Sequence, residues 1–194
     1  MRKAKIERKT GETNVNLEIN LDGKGRYAVK TGIPFFDHML GLMSRHGLFD
    51  LRVKAAGDID VDFHHLVEDV GICLGKAVAK ALGKKEGIRR FGFSLLPMDD
   101  ALANVAVDIS GRGMLVFNSA EKKRVKAAFD LELAEEFFNA FARSADMTLH
   151  INLLYGKNLH HMIEAVFKAA GRAVRDAVAL DKKIKGVPST KGIL

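Results

Sequence analysis

The chain carries the same unusual string twice: two adjacent histidines followed three residues later by a glutamate. The first copy spans residues 64–68 (HHLVE) and the second spans residues 160–164 (HHMIE). Four of the seven histidines in the chain belong to these two copies. Because imidazole and carboxylate groups together form a ligand set for first-row transition metals, the repetition predicts a duplicated unit that holds metal.

Each copy opens a stretch whose apolar residues recur with helical spacing. Residues four apart share a helix face, so His64 lies beside Glu68 and His160 lies beside Glu164. The second histidine of each pair points about 100° away, because a helix has about 3.6 residues per turn. One helix start can therefore serve two metals, or one metal and a neighbouring group. The alternative, surface histidines with first-turn acids, stays open for one copy and is disfavoured by two.

The repeat extends to the elements that must position these groups. Residues 14–21 alternate polar and apolar side chains, as a half-buried strand does, and residues 104–109 repeat this pattern. In each half this strand is followed by a turn, a second strand, a helix, a third strand and the histidine-bearing helix. An extra leading strand is expected in each half, at residues 4–8 and 91–96. The helix between the second and third strands is expected at residues 35–45 and 131–143.

These elements predict an α+β fold made of two half-domains, each a small mixed or antiparallel sheet packed on helices. The chain of 194 residues is long enough for one good-sized domain or two small fused ones. No linker rich in serine, glycine and proline separates the halves, and proline occurs only 3 times. We therefore expect a single compact domain over residues 1–194, built from pseudo-repeats at roughly 1–88 and 89–194.

Alignment of the third strands, residues 51–53 and 149–151, places His38 opposite Glu136. Both residues lie in the helix that precedes the histidine-bearing helix of their half, and both residue types can bind metal. We therefore expect the fourth ligand of each half-site to come from this preceding helix.

The net charge of +7 raises the question of nucleic-acid binding. The basic residues are dispersed, however, and the densest runs are residues 121–126 and 182–191. The chain has no tryptophan, two tyrosines and no interleaving of aromatic and basic residues of the kind found in RNA-binding sheets. An anionic small molecule explains the charge balance as well, so we expect no nucleic-acid partner.

The sequence also indicates where the protein works. No stretch reaches the ~18 uninterrupted apolar residues that a membrane helix needs, and residues 1–5 lead into no apolar signal region. We therefore expect a soluble cytoplasmic protein without a membrane partner. The single cysteine, Cys73, lies in the first histidine-bearing helix and is expected to be a small buried hydrophobe.

Further strings of the chain follow in an order that resembles the imidazoleglycerol-phosphate dehydratase family of histidine biosynthesis. The resemblance covers essentially the whole length, and the order and spacing of the strings make it highly specific. The chain departs from plant members of the family at Glu136, where they carry histidine. The matching strings are residues 10–13 (TGET), 36–40 (FDHML), 62–69 (DFHHLVED), 89–92 (RRFG), 97–102 (PMDDAL), 160–168 (HHMIEAVFK) and 187–192 (VPSTKG).

The resemblance implies a manganese enzyme with two Mn²⁺ ions in each active site, which lies between neighbouring subunits. It also implies self-association into a closed shell of about 24 copies, and a fold similar to the second domain of ribosomal protein S5. Glutamate at position 136 can still act as a ligand. Carried over residue by residue, the metal ligands are His38, His64, His65, Glu68, Glu136, His160, His161 and Glu164.

The implied reaction is the dehydration of D-erythro-imidazoleglycerol phosphate to imidazole acetol phosphate. Metal at both ring nitrogens would favour an imidazolate that expels the hydroxyl group. Glu164 resembles the base that takes the carbon-bound proton. Glu12 would contact the diol, and Asp99 is either an orienter of a ligand or an ordinary turn acid.

The resemblance also implies a phosphate site, because arginine, lysine and hydroxyl groups suit a phosphate dianion. Residues 186–192 have the composition of a loop and would form a lid over the site. The substrate-binding and phosphate-binding residues carried over from the family are Glu12, Arg90, Arg112, Lys168, Ser189, Thr190 and Lys191.

Two other classes of function use the same ligands. A metal-dependent hydrolase would activate water with them, but it does not explain the Pro-Ser-Thr-Lys tail together with Arg90 and Arg112. A storage shell would only bind metal. Storage proteins of the ferritin type are helical bundles, whereas residues 14–21 alternate as a strand does.

Overall fold

Each half of the chain folds into a four-stranded sheet covered on one side by two helices. The computed structural model describes residues 1–119 and 128–194, so the basic run at residues 121–126 lies outside the described residues. The first half contains β1 (Lys3–Lys9), β2 (Thr13–Asn20), β3 (Tyr27–Lys30), α1 (Pro34–Gly47), β4 (Asp50–Gly57) and α2 (His64–Leu82). The second half contains β5 (Phe91–Met98), β6 (Ala101–Asp108), β7 (Met114–Ser119), α3 (Leu131–Ser144), β8 (Thr148–Tyr155) and α4 (Leu159–Val178).

The two sheets have the same strand order, β1-β2-β4-β3 in the first and β5-β6-β8-β7 in the second. In each sheet the first three strands in this order are antiparallel, and the last strand pairs in parallel. The predicted α+β fold of duplicated half-domains with mixed sheets is confirmed, including the extra leading strand in each half. The boundary between residues 88 and 89 stays a prediction.

The polar–apolar alternation of the strands sets which side of each sheet faces the helices. In β2 the side chains of Val15, Leu17 and Ile19 are buried, and Leu17 pairs in register with Val53 of β4. Because successive strand residues point to opposite faces, the intervening polar residues lie on the outer face. The helix-facing sides of both sheets thus belong to one hydrophobic core.

The helices pack mainly across the two halves: α1 lies against α4, and α2 lies against α3. Two glycines allow the close approach. A Cβ on Gly75 of α2 would lie 2.5 Å from the carbonyl oxygen of Phe141, and a Cβ on Gly171 of α4 would clash with the carbonyl oxygen of Met43. The resulting order of layers is sheet, helices, helices, sheet.

The centre of the core is aromatic. The rings of Phe137 and Phe167 stack with their centroids 5.3 Å apart, and Phe36 meets Phe137 edge-on at 5.4 Å. These three residues come from α3, α4 and α1, so the cluster joins the two halves. Cys73 is buried as expected, and burial raises the pKa of its thiol to about 11.

No helix within residues 1–119 or 128–194 combines the length and the apolar character that crossing a membrane requires.

Candidate functional site

The first group of possible metal ligands consists of His38, His160 and Glu164, hereafter the His38 triad. One ligand atom from each of the three lies within 4.8 Å of the others. Glu164 Oε2 is 3.0 Å from His160 Nε2 and 3.7 Å from His38 Nε2. The start of α4 is fixed by Asn158, whose side chain accepts a hydrogen bond from the His160 amide. The helix spacing of four residues therefore brings His160 and Glu164 to one face, as predicted.

The second group consists of His64, Glu68 and Glu136, hereafter the His64 triad. Its ligand atoms also lie within 4.8 Å of one another. Asp62 accepts a hydrogen bond from the His64 amide, as Asn158 does at the start of α4. The two triads occupy equivalent places in the repeat, with glutamate at position 136 where the other triad has His38. The alignment that set His38 opposite Glu136 is thus confirmed.

The expectation that the preceding helix supplies the further ligand is wrong. His38 lies on α1 of the first half but joins His160 and Glu164 on α4 of the second half. Glu136 lies on α3 of the second half but joins α2 of the first half. The reason is the helix packing, because the main helix neighbour of each helix belongs to the other half. Each triad therefore needs both halves of the chain.

His65, the second histidine of the first pair, lies in a different group from His64. Its Nδ1 is 2.9 Å from Asp58 Oδ2 and 3.7 Å from Glu12 Oε2. The hydrogen bond to Asp58 raises the pKa of the His65 imidazole. The two adjacent histidines thus serve two separate groups, which is one of the arrangements that the helix spacing predicts.

His161 repeats this arrangement in the second half. Its Nδ1 is 2.5 Å from Asp100 Oδ1, whereas Asp99 Oδ2 lies 3.5 Å from Nε2. This hydrogen bond raises the pKa of His161 and holds the pKa of Asp100 well below its usual range. Asp100, and not Asp99, therefore orients the ring from the Nδ1 side.

Sequence reasoning missed Asp58 and Asp100. Asp58 lies in the loop between β4 and α2, seven residues before His65, whereas Asp100 lies in the turn between β5 and β6, 61 residues before His161. The only available signal was general: a histidine that binds metal usually donates its second ring N–H to a carboxylate or carbonyl oxygen. That rule says that a partner exists but does not say which aspartate it is.

Glu164 is the buried member of the His38 triad. Burial alone would raise the pKa of its carboxyl group, but hydrogen bonds from Lys168 and His160 lower it below the usual value. Lys168 Nζ lies 2.5 Å from Glu164 Oε1, one helical turn away on α4. Glu164 is therefore held as a carboxylate that can bind a cation or accept a proton.

Glu12 reaches His65 from the turn between β1 and β2. Thr10 Oγ1 accepts a hydrogen bond from the Thr13 amide at 2.9 Å, which closes this turn. Thr13 Oγ1 in turn donates to the buried carboxylate of Asp69, and Asp69 accepts a second hydrogen bond from Arg8 Nε at 2.7 Å. This network ties the turn to α2, next to Glu68.

Arg90, one of the predicted phosphate-binding residues, already has partners within the chain. Its guanidinium donates to Asp108 at 2.7 and 3.2 Å and to the Pro188 carbonyl at 3.0 Å. Arg90 therefore lies beside the C-terminal tail that was predicted to form a lid. Ser189 Oγ accepts from the Lys191 amide within that tail.

The other predicted phosphate-binding residues are spread over two places. Arg112 is exposed, with Nη1 3.4 Å from the Ser110 carbonyl oxygen, and the neighbouring Gly111 lies against Leu194 of the tail. Lys168 contacts Glu164, and in the part of the chain that the structure describes no hydrogen bond or ion pair joins it to Arg90 or to the tail. Thr190 and Lys191 are exposed.

A cavity of about 700 Å³ opens beside the His64 triad. Its lining includes His64 and Glu136 together with Asp130, Glu132 and Glu135. Several of the described lining residues carry carboxylates, which suit a cation at this place.

Comparison with known proteins identifies relatives of this fold and site. The sequence model of the imidazoleglycerol-phosphate dehydratase family matches residues 31–174. The chain is 60% identical over 193 residues to the imidazoleglycerol-phosphate dehydratase of Clostridium botulinum strain Langeland, covering 98% of this chain and 97% of the relative. It is 56% identical to that of Acetivibrio thermocellus, covering 100% of this chain and 99% of the relative.

Solved structures give the same result. The dehydratase of Staphylococcus aureus N315 matches with a TM-score of 0.82 at 38% identity, over 92% of this chain and 99% of that one. The Pyrococcus furiosus structure, solved in complex with (S)-C348, matches with a TM-score of 0.85 at 38% identity, over 97% of this chain and all of that one.

Proposed function

Because the chain belongs to the imidazoleglycerol-phosphate dehydratase family, we propose that its paired histidines and glutamates build a two-metal site for this dehydration. The reaction is a hydro-lyase step of histidine biosynthesis, in which D-erythro-imidazoleglycerol phosphate loses water to give imidazole acetol phosphate. The proposal concerns how this chain performs that step. The observation that carries it is the pair of equivalent triads.

The donor atoms of the two triads fit a divalent transition metal. Each triad offers imidazole nitrogen and carboxylate oxygen within 4.8 Å, and an ion at the centre could contact all three atoms. Such mixed nitrogen and oxygen sets suit manganese, although the general order of affinities favours zinc in competition. We assign one Mn²⁺ to each triad, which makes two for each active site.

Neighbouring subunits complete these sites in our proposal. Three donors from one chain leave positions open on an octahedral metal. His65 and His161 bind aspartates through Nδ1, so the Nε2 atom on the other side of each ring remains for a metal. Side-chain exposure of 50% for His38 and 37% for His65 supports access from outside the chain. The eight ligands are thus shared between copies.

The outer faces of the two sheets support self-association. The row Lys5–Glu18–Arg52 crosses the first sheet, and the equivalent row in the second sheet is Phe93–Ala106–His150. Phe91 and Phe93 are each 60% exposed. A charged face meets water at little cost, whereas neighbouring exposed aromatic side chains mark an interaction surface. We propose that this face is covered by another copy within a closed shell of about 24 subunits.

The chemistry of the bound substrate follows from the charges at the site. Metal bound to the imidazole nitrogens would stabilise negative charge on the ring and so ease departure of the hydroxyl group. Glu164 lies within the His38 triad as a carboxylate, and we assign it the role of the base that accepts the carbon-bound proton. Glu12, at the exposed end of its turn, would hold the diol by hydrogen bonds.

The phosphate group would bind near the tail. We propose that Arg90, Arg112 and the serine, threonine and lysine of residues 189–191 hold it, with Lys168 approaching from α4. Arginine and hydroxyl groups give charge-assisted hydrogen bonds to a phosphate dianion. Because phosphorylated metabolites do not cross membranes freely, we place the reaction in the cytoplasm.

The deciding experiment is turnover of imidazoleglycerol phosphate by metal-stripped protein, with and without added Mn²⁺. We expect ketone product only when Mn²⁺ is present. His64→Ala should lose metal and turnover together, whereas Lys84→Ala, an exposed residue just after α2, serves as the control. Stoichiometric metal uptake without product would contradict the dehydratase mechanism and point to hydrolysis of phosphoesters.

A further inference from the structure

The second histidine of each pair has the same kind of partner. Asp58 Oδ2 lies 2.9 Å from His65 Nδ1, and Asp100 Oδ1 lies 2.5 Å from His161 Nδ1. The two aspartates come from different kinds of segment, a loop after a strand and a hairpin turn. We propose that Asp58 and Asp100 are positioning residues that fix the tautomer of His65 and His161, and that Asp100 does so more strictly.

The tautomer follows from hydrogen-bond chemistry. An ionised carboxylate only accepts hydrogen bonds, so the Nδ1 that faces it must carry the proton. In the neutral imidazole the lone pair then lies on Nε2, the atom that points away from the aspartate. A metal needs this lone pair, so each aspartate prepares its histidine as an Nε2 ligand. The inference therefore depends on the proposed metal site.

The two aspartates differ in the hydrogen bonds of the carboxylate oxygen that does not face the histidine. Asp100 Oδ2 accepts hydrogen bonds from the backbone amides of Lys157 at 2.6 Å and Asn158 at 3.0 Å, just before α4. Asp58 Oδ1 is buried and has no hydrogen-bond partner among the described residues. Asp100 is thus held in one orientation by α4, whereas Asp58 is held mainly by His65.

This difference predicts opposite results for the same substitution. In Asp100→Asn, the amide oxygen must accept from the two backbone amides, so its NH₂ group faces His161 and donates to Nδ1. The proton of His161 then moves to Nε2, and the metal ligand is lost. In Asp58→Asn, no backbone amide holds the side chain, so its oxygen can turn to Nδ1 and keep the tautomer of His65.

Metal affinity measures this prediction without catalysis. The probe is Mn²⁺ alone, titrated into the stripped protein and followed by electron paramagnetic resonance of the free ion. We expect Asp100→Asn and Asp58→Ala each to weaken one class of Mn²⁺ sites by about 10–100-fold. Asp58→Asn should bind much closer to wild type, and Asp60→Asn, an exposed residue of the same loop, is the matched control.

The outcomes separate this inference from the proposed function. If wild-type protein binds no Mn²⁺, the metal proposal itself fails. If wild type binds and Asp100→Asn binds equally well, the positioning role of Asp100 is wrong. Equal losses in Asp58→Asn and Asp58→Ala would overturn the difference between the two aspartates.

A second measurement does not depend on how the aspartate variants fold. The ¹⁵N resonances of histidine-labelled, metal-free wild type report the tautomer directly, with His65→Gln and His161→Gln spectra assigning the two rings. We expect the Nδ1–H form for both. A proton on Nε2 of either ring would refute the proposed role of its aspartate.

Discussion

Glu164 is pulled in two directions by its surroundings, because burial favours the protonated form and Lys168 favours the carboxylate. The pKa of the group lies below its usual value, so the second influence wins. A base with a low pKa is ionised across the neutral range, but it is also a weaker proton acceptor. Substitutions of Glu164 and Lys168 therefore test whether the ionisation of this carboxylate controls the proposed proton transfer.

The variant Glu164→Gln should separate proton transfer from metal binding. The amide cannot accept the carbon-bound proton, so we expect kcat to fall by about 10²–10⁴-fold. His38 and His160 remain as ligands of the triad, so Mn²⁺ should stay bound. Steady-state kinetics and metal analysis of the same preparation check this, and full activity would remove Glu164 from the role of base.

The variant Lys168→Met should shift the pH dependence of kcat/KM. Lys168 lowers the pKa of Glu164, so its removal raises that pKa, and the base then becomes protonated at a higher pH. The acid-side limb of the profile should therefore move to higher pH. Lys182→Met, at an exposed position, is the control, and an unmoved limb would show that Lys168 does not set the ionisation of Glu164.

At the scale of residues, the sequence predicts which histidines and glutamates share a helix face better than it predicts the aspartates that contact the histidines. The histidine–glutamate pairs could be assigned because both members lie on one helix at a spacing of four. Asp58 and Asp100 could not, since their contacts depend on where a loop and a hairpin turn come to lie. Neither hydrogen bond lies within a single helix or strand, so neither leaves a periodic pattern in the sequence.

At the scale of elements, the sequence predicts the helices better than it predicts which helices contact each other. Apolar periodicity correctly predicts α2 and α4 and the face that each buries. Periodicity does not say which helix covers that face, and the expectation of a ligand from the preceding helix of the same half was wrong for this reason. The strands could be predicted more completely, because the alternation in residues 14–21 and in residues 104–109 indicates both a strand and the face of it that is buried.

The glycines at the helix contacts give a matched pair of predictions. Gly75 and Gly171 occupy equivalent positions on α2 and α4, and a Cβ on either would collide with a backbone carbonyl of the facing helix. We expect Gly75→Ala and Gly171→Ala each to cost about 1–3 kcal/mol of unfolding free energy through overpacking. For a chain of this size that corresponds to about 2–4 °C of melting temperature per kcal/mol.

The two variants should also differ at the metal sites. Gly75→Ala moves α2 away from α3 and should weaken Mn²⁺ binding at the His64 triad, while Gly171→Ala should weaken binding at the His38 triad. Each variant thus serves as the control for the other in a metal titration. Equal loss at both triads would contradict the view that each helix pair holds its own site.

The molecule as a whole depends on contacts between its halves. The aromatic cluster of Phe36, Phe137 and Phe167 draws on both, and each triad takes its members from both. A separated half would expose the helix face that the other half covers. Exposed faces of this kind cost about 25 cal/mol for each Å² of apolar surface left in water.

Fragments 1–88 and 89–194 test this dependence. We expect neither fragment alone to give a cooperative thermal transition by circular dichroism, because each lacks the partner of its helices. Mixing the two should restore the transition and Mn²⁺ binding. A cooperative, metal-binding fragment 1–88 would show that the halves are independent, contrary to the single domain expected from the sequence.

The crossed pairing of the helices also bears on how the protein is made. The chain leaves the ribosome from its N-terminus. The His64 triad can therefore form once Glu136 has emerged, whereas the His38 triad also needs Glu164, which is synthesised near the end of the chain. The His64 triad can close while α4 is still inside the exit tunnel, but the His38 triad cannot. The topology therefore sets the order in which the two triads close in a nascent chain, the His64 triad before the His38 triad.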